Sequence, residues 1–330
     1  RYCYAKGIES YMFGDMAPGD FLKLIVWAKD KGWNHIRFLG GEPTIHSGFT
    51  EMLGMCYDNK LFVSLSTNNT FSSQVIAKFD KSSIRWVSIN YVFNNLNSKQ
   101  QALFKDNLRQ LYTLKIPLQF SSIVSHKDED WSEFFEDARI YRPNSIRVSV
   151  AIPGFLRQTS IAELSGNFKL ISKRLFEFQD NCRKINIPFY INRPLMPCMF
   201  SGQDWRRLIK DCPFICYTRC PLGARGDYSA TLAVNPDLSI FPCNAVFLKG
   251  PNIFTFKDRK EISIFYEQNI KKMLMQPLMK SCLTCDKRDN FLHNLDKGER
   301  SDLNSSFKKS LCQGGCLSYN ENAQSLCWSE

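Results

Sequence analysis

The chain has 330 residues, 44% of them hydrophobic, and 43 Lys and Arg against 32 Asp and Glu give it a formal charge of +11 at pH 7. This length allows a large core and exceeds the usual single-domain range of roughly 100–200 residues, so one large domain with an appendage is expected. No stretch approaches the ~18 uninterrupted apolar residues of a membrane span, and no export signal opens the sequence, so the chain reads as soluble and cytoplasmic with no membrane partner. The basic charges are dispersed, which reads as a solvated surface and argues against nucleic acid as a partner.

Taken in chain order, apolar β-rich runs alternate with amphipathic helical runs from residue 18 to about 193. Helices are predicted at 20–31, 48–57, 72–78, 99–114, 131–141 and 164–185. Strands are predicted at 34–39, 61–66, 85–91, 117–124, 145–151 and 187–193. Such alternation is the signature of repeated βα units around a parallel sheet. In the last helix Leu164, Phe168, Ile171, Leu175, Phe178, Cys182 and Ile185 step by three and four along one face, which makes Cys182 a core residue.

Beyond residue 195 the periodicity decays into short segments rich in Cys, Pro, Asp, Asn and Gly. The thirteen cysteines are uneven: Cys3, Cys56, Cys182 and Cys198 precede residue 200, and nine follow it. With no export signal, an odd and crowded set of thiols points to metal rather than disulfides. Metal–thiolate bonds would supply the folding free energy that this region cannot draw from an apolar core.

Two segments carry chemistry. Phe38-Leu39-Gly40-Gly41-Glu42-Pro43 runs from a strand into a Gly-Gly turn, where two residues without Cβ let a ligand lie against the backbone and Glu42 offers a carboxylate to an ammonium group. About 37 residues upstream, Tyr2-Cys3-Tyr4 places a cysteine between aromatics. Together they resemble the radical S-adenosylmethionine family, in which a Cys-x3-Cys-x2-Cys loop binds a [4Fe–4S] cluster.

The resemblance implies an α/β fold, a partial (β/α)6 TIM-like barrel over residues 1–195 followed by an irregular, cysteine-rich iron–sulfur (SPASM) domain over 196–330. It makes Cys3 the third and catalytic-cluster cysteine, with the chain opening inside the motif after the first barrel strand. It also implies contacts to S-adenosylmethionine from Tyr2, Gly40, Gly41, Glu42 and Pro43, from Thr67 and Asn68 at the end of a strand where Asn69 replaces the family's Gly, and from Ser88 and Asn90.

The C-terminal cysteines resemble the SPASM pattern. Cys220 leads to Cys243, then Cys282-x2-Cys285, then Cys312-Gln313-Gly314-Gly315-Cys316, and finally Cys327. Leu238 stands where the family has Gly, and 26 residues rather than five separate Cys285 from Cys312, an insertion that loop-closure entropy tolerates. By the family's ligation, Cys282, Cys285, Cys312 and Cys327 would hold one auxiliary [4Fe–4S] cluster. Cys220, Cys243 and Cys316 would hold the other, with Cys216 or Cys212 as fourth ligand. Cys198 is unassigned and reads as a buried or incidental thiol.

The resemblance thus implies an enzyme that forms a 5′-deoxyadenosyl radical and abstracts hydrogen from a peptide or protein, its electron supplied by a flavodoxin or ferredoxin. The outcome would be a crosslink, an epimer or an oxidised side chain. A sulfatase-maturase role fits less well, because Asn244 and Ala245 follow Cys243 where those relatives carry an Asp base. The alternative from the residues alone is a zinc-ribbon nucleic-acid binder using Cys282, Cys285, Cys312 and Cys316.

Overall fold

A computed structural model describes residues 14–125, 129–150, 166–191, 195–211, 232–241, 250–274 and 284–285. These residues fall into two compact units. The first spans Gly14–Ser149 and Leu175–Tyr190, and the second takes the described residues of Val150–Arg174 and Ile191–Glu330.

The first unit is built of βα repeats. Helix α1 (Pro18–Asp30) starts with Pro at its first turn and Asp20 beside the exposed N–H groups, both favourable there. It leads into β1 (His35–Phe38), α2 (Phe49–Asp58), β2 (Phe62–Thr67), the short α3 (Ser73–Ile76) and β3 (Ile84–Asn90). Then follow α4 (Ser98–Thr113), β4 (Leu118–Val124), α5 (Ser132–Tyr141), β5 (Ser145–Val150), α6 (Phe168–Lys184) and β6 (Phe189–Ile191), of which Val150, the α6 residues up to Arg174 and Ile191 fall in the second unit. Each of the six predicted strands has an observed counterpart within a few residues. Helix α4 is started by a reciprocal capping box, in which the Asn97 side chain accepts from Gln100 N–H and the Gln100 side chain accepts from Asn97 N–H.

The strands form one six-stranded sheet in the sequential order β1-β2-β3-β4-β5-β6, with β1 to β4 paired in parallel. A sheet that adds every strand on the same side never reverses, and its right-handed crossovers place all helices on one face. That is the winding of a barrel rather than of a doubly wound sheet.

The two faces differ accordingly. Toward the helices point Phe38, Val63, Leu65, Val87, Ile89, Leu118, Phe120, Ile146 and Val148. There Phe38 meets Phe21 of α1 and Phe49 of α2 at 5.4 and 5.3 Å, and Phe120 meets Phe134 of α5 at 5.8 Å. Phe104, Leu108, Leu111, Leu175 and Phe178 are fully buried in this layer, each contributing about 1.5–3 kcal/mol of burial. The stripe read on α6 is buried from Ile171 through Leu175, Phe178 and Cys182 to Ile185; Phe168 is half-buried, and Leu164 lies outside the described residues. The opposite face is polar and is taken up below.

In the second unit, α7 (Gly202–Asp211), a hairpin of β7 (Ala233–Val234) and β8 (Ile240–Phe241), and α8 (Arg259–Leu274) are described. Leu238 turns the hairpin at φ 66°, so the left-handed geometry that a Gly would adopt freely is kept with a side chain in place. Cys198 is exposed rather than buried.

Candidate functional site

The C-terminal ends of β1 and β2 are joined by one carboxylate. Glu42, just past the Gly-Gly turn, caps the short 3-10 turn Pro43–Ile45. Its Oε1 accepts from Thr44 N–H (3.3 Å), Thr44 Oγ1 (2.6 Å) and Thr67 Oγ1 (2.9 Å), and its Oε2 accepts from Asn68 N–H (2.7 Å). A carboxylate offers about four lone-pair positions, so Glu42 is first a clamp between strand ends. Oε2 keeps one acceptor position for a ligand N–H.

Beside this clamp the backbone is open. Gly40 has φ 145°, a conformation that a side chain resists, and a Cβ built on either Gly40 or Gly41 would meet nothing within 4 Å among the described residues. A ligand can therefore approach the peptide units of both residues from that side.

The loop after β2 is held rigidly. Asn68 Oδ1 accepts from Thr70 N–H and Oγ1 at 3.0 and 2.6 Å. Asn69 sits at φ 63°, in the left-handed region that Asn enters more easily than other side-chain-bearing residues. Its Nδ2 donates to Phe104 O at 2.9 Å, and Asn107 Nδ2 donates to Asn69 O and Phe71 O at 3.1 and 2.8 Å. Asn69 thus takes the left-handed turn and adds a bond to α4.

The polar face of the sheet continues inward from this edge. Register aligns Arg37 with Ser64 and Trp86, then Ser66 with Ser88 and Gln119, then Asn90 with Ser121. His35 Nε2 lies 2.7 Å from Ser64 Oγ, and Arg37 donates to Ser66 Oγ through Nη2 and Nε at 2.8 and 3.2 Å. Ser88 donates to Gln119 (3.1 Å), Gln119 to Ser145 (3.2 Å), and Arg147 to Ser121 Oγ through Nη2 and Nε at 3.1 and 3.2 Å.

Burial, with the charges of Arg85 and Arg37 added, lowers the His35 pKa below its ordinary 6.5. Burial raises the Tyr190 phenol, while the charges of Arg147 and Arg37 and a hydrogen bond with Gln119 pull it back.

Of the sequence-predicted residues, Gly40, Gly41, Glu42, Pro43, Thr67 and Asn68 come together at one edge. Ser88 is buried within the polar layer, and Asn90 is exposed at the end of β3. Tyr2, Cys3, Cys212, Cys216, Cys220, Cys243, Cys282, Cys312, Cys316 and Cys327 lie outside the described residues; Cys285 is described, half-buried and in no disulfide among the described residues. His35, Arg37, Gln119, Arg147 and Tyr190 were not read as site residues. The available signal was the period-2 alternation of Ser64/Ser66, Gln119/Ser121 and Ser145/Arg147 against apolar neighbours.

A sheet wound in one direction with an open Gly-Gly turn at its C-terminal edge defines an α/β partial barrel whose ligands collect at the strand ends. The comparisons agree with that class. SuiB of Streptococcus suis bound to S-adenosylmethionine superposes with a TM-score of 0.55 at 13% identity, covering 82% of this chain and 64% of that one. SuiB bound to its precursor peptide SuiA gives 0.53 at 14% identity, over 81% and 62%.

In sequence, an S-adenosylmethionine-dependent nucleotide dehydratase of Selenomonas ruminantium is 26% identical over 172 residues, which is 46% of this chain and 62% of that protein. The chain thus spans less than two thirds of each relative's length. No protein-family model matches it. The resemblance read from Tyr2-Cys3-Tyr4 together with Gly40-Gly41-Glu42-Pro43 is matched in sequence by the S-adenosylmethionine-dependent dehydratase, and the fold is like that of SuiB.

Proposed function

We propose that this chain belongs to a radical S-adenosylmethionine enzyme that abstracts hydrogen from a peptide or protein substrate. The observation that carries the reading is the β1–β2 edge, where the open backbone of Gly40 and Gly41 stands beside a carboxylate with one acceptor position left. An amino-acid ammonium group fits there: carbonyl oxygens of the turn can accept two of its protons and Glu42 Oε2 the third. S-adenosylmethionine, when bound with a reduced cluster, supplies the 5′-deoxyadenosyl radical. The residues of the chain orient it, with Thr67 and the Asn68 N–H fixing the rotamer of Glu42 and Asn90 offering an amide at the neighbouring strand end. A peptide substrate is supported by the likeness to SuiB, which was solved with its precursor peptide.

The same reading assigns Cys3 to the catalytic cluster. It gives Cys282, Cys285, Cys312 and Cys327 to one auxiliary cluster, and Cys220, Cys243, Cys316 and Cys216 to the other, with a flavodoxin or ferredoxin as electron donor. A nucleotide substrate is the second reading, favoured by the sequence likeness to the nucleotide dehydratase. Titration of the chain with S-adenosylmethionine tests the site common to both. Saturable binding that Glu42→Ala weakens at least tenfold is expected, and binding indifferent to that change rejects the assignment.

A further inference from the structure

Helices of the first unit return the chain to the starts of the strands, so the turns that follow them gather at the end of the sheet opposite Gly40 and Gly41. The turns after α4 and α5 are neighbours there: Asn144 N–H donates to Leu118 O at 2.8 Å, and the Tyr112 and Tyr141 rings meet at 5.8 Å. Around this junction Tyr112, Leu114 and Ile140 are exposed by 51, 43 and 54%. Apolar residues exposed singly are ordinary, whereas a group of them rimmed by polar side chains marks an interaction site.

The rim is basic. Lys115, Arg139 and Arg142 are all exposed. The acids of the two helices are mostly engaged, Asp137 and Glu133 with Lys105 and Asp106 with Arg109, while Glu136 is exposed. Cations are favoured at helix C-termini in any case, but Lys115 goes beyond that. It stands at φ 57° in the closing turn of α4, with its own N–H on Tyr112 O and the next N–H on Leu111 O. Glycine is the unstrained residue at that position. Arg142, at φ 44°, uses its side chain to donate to Ile185 O at 2.7 Å, whereas the Lys115 ammonium has no partner among the described residues. A strained backbone with no internal use for its side chain points to an external one.

We propose that Tyr112, Leu114 and Ile140, rimmed by Lys115, Arg139 and Arg142, form a docking surface for an acidic amphipathic segment of a partner protein. Apolar anchors of the partner meet the junction, and its carboxylates meet the cations around it. Leu114 and Ile140 are aliphatic and give no face for stacking bases, which favours a peptide over single-stranded nucleic acid. The surface lies at the far end of the strands from Glu42, so it is independent of S-adenosylmethionine binding.

The test is fluorescence anisotropy of a labelled peptide with Leu at i, i+3, i+4 and i+7 and Glu elsewhere, titrated with the whole chain. Saturable binding that weakens with added salt is expected. Ile140→Ser and Arg139→Gln should each raise the dissociation constant about tenfold. Lys115→Gly should also weaken binding while the thermal midpoint holds or rises, because the turn loses its strain. Lys23→Gln, on an exposed ion pair with Asp20, is the control and should change nothing.

Absence of binding, or binding unchanged in the Ile140, Arg139 and Lys115 variants, overturns the proposal. So does equal weakening in the control, or equal affinity for the same peptide with Lys in place of Glu. Oligo-dT or phosphatidylserine vesicles bound more tightly than the peptide, and weakened by the same variants, would give the surface to nucleic acid or to a membrane and overturn the peptide assignment.

Discussion

Glu42 satisfies four donors from two strand ends, so its charge and its shape are both used. Glu42→Gln replaces an acceptor oxygen by an amide donor that faces Thr44 and Thr67 hydroxyls or Asn68 N–H. The loss of one charge-assisted bond should cost about 1.5–3 kcal/mol of stability, read as a lower denaturation midpoint, together with weaker S-adenosylmethionine binding. An unchanged midpoint would mean that the clamp is not formed. At Asn69, Ala retains the strained φ of 63° but loses the bond to Phe104 O; a cost of about 2 kcal/mol is expected. Asn69→Gly, which relieves the backbone, should lose less, and denaturant melts of the pair separate the two effects.

His35 sets a pH dependence. Its folded pKa lies below 6.5, so as pH falls the unfolded chain takes up the proton first, and stability that is intact above about 6.5 declines below it. Thermal midpoints measured from pH 7.5 to 5.5 should fall on the acid side, and His35→Asn should flatten that fall.

At the scale of elements, β3, α4 and α5 are locked by a charged network on the helical side of the sheet. Tyr91 donates to Asp137 Oδ2 at 2.5 Å, and Lys105 reaches Asp137 at 2.6 Å and Glu133 at 2.8 Å while its ammonium lies 4.6 Å from the centre of the Phe93 ring. Burial opposes the charge of Lys105, yet Asp137 and Glu133 outweigh it and raise its pKa. Burial, then Asp137, raises the Tyr91 phenol. Asp137 is 2% exposed, so Asp137→Ala removes a buried charge partner and leaves the Lys105 ammonium with Glu133 and the Tyr91 phenol with Glu133 O. A loss of about 1.5–3 kcal/mol is expected; an unchanged midpoint in chemical denaturation would show that the network is not formed in solution.

In the hairpin, Leu238→Gly removes left-handed strain of roughly 1–2 kcal/mol against an entropy cost of about 0.5–1. A small gain, near 0.5 kcal/mol, is the expected result, and a loss would mean that the Leu238 side chain contributes packing that outweighs the strain.

For the molecule as a whole, the cysteine-rich C-terminal region decides between clusters and zinc. Anaerobically purified protein should be brown, with iron and sulfide in equal amounts and visible absorbance that bleaches on reduction. Colourless protein holding zinc without iron would replace the radical reading by the zinc-ribbon one.

The sequence by itself determined the order of six strands and their helices, because apolar periodicity is a local property of the chain. It also determined the Gly-Gly-Glu-Pro turn, because the residue types that allow a ligand near the backbone are written consecutively. Only the tertiary structure decided that Glu42 spends most of its acceptor capacity on Thr44, Thr67 and Asn68, that Asn69 can take the place of a glycine by bonding to α4, and that Arg37 and Arg147 share one polar face. Those facts depend on register and winding between strands up to 110 residues apart in the chain, Arg37 to Arg147. No local pattern of residues encodes which side chains of different strands share a face of the sheet.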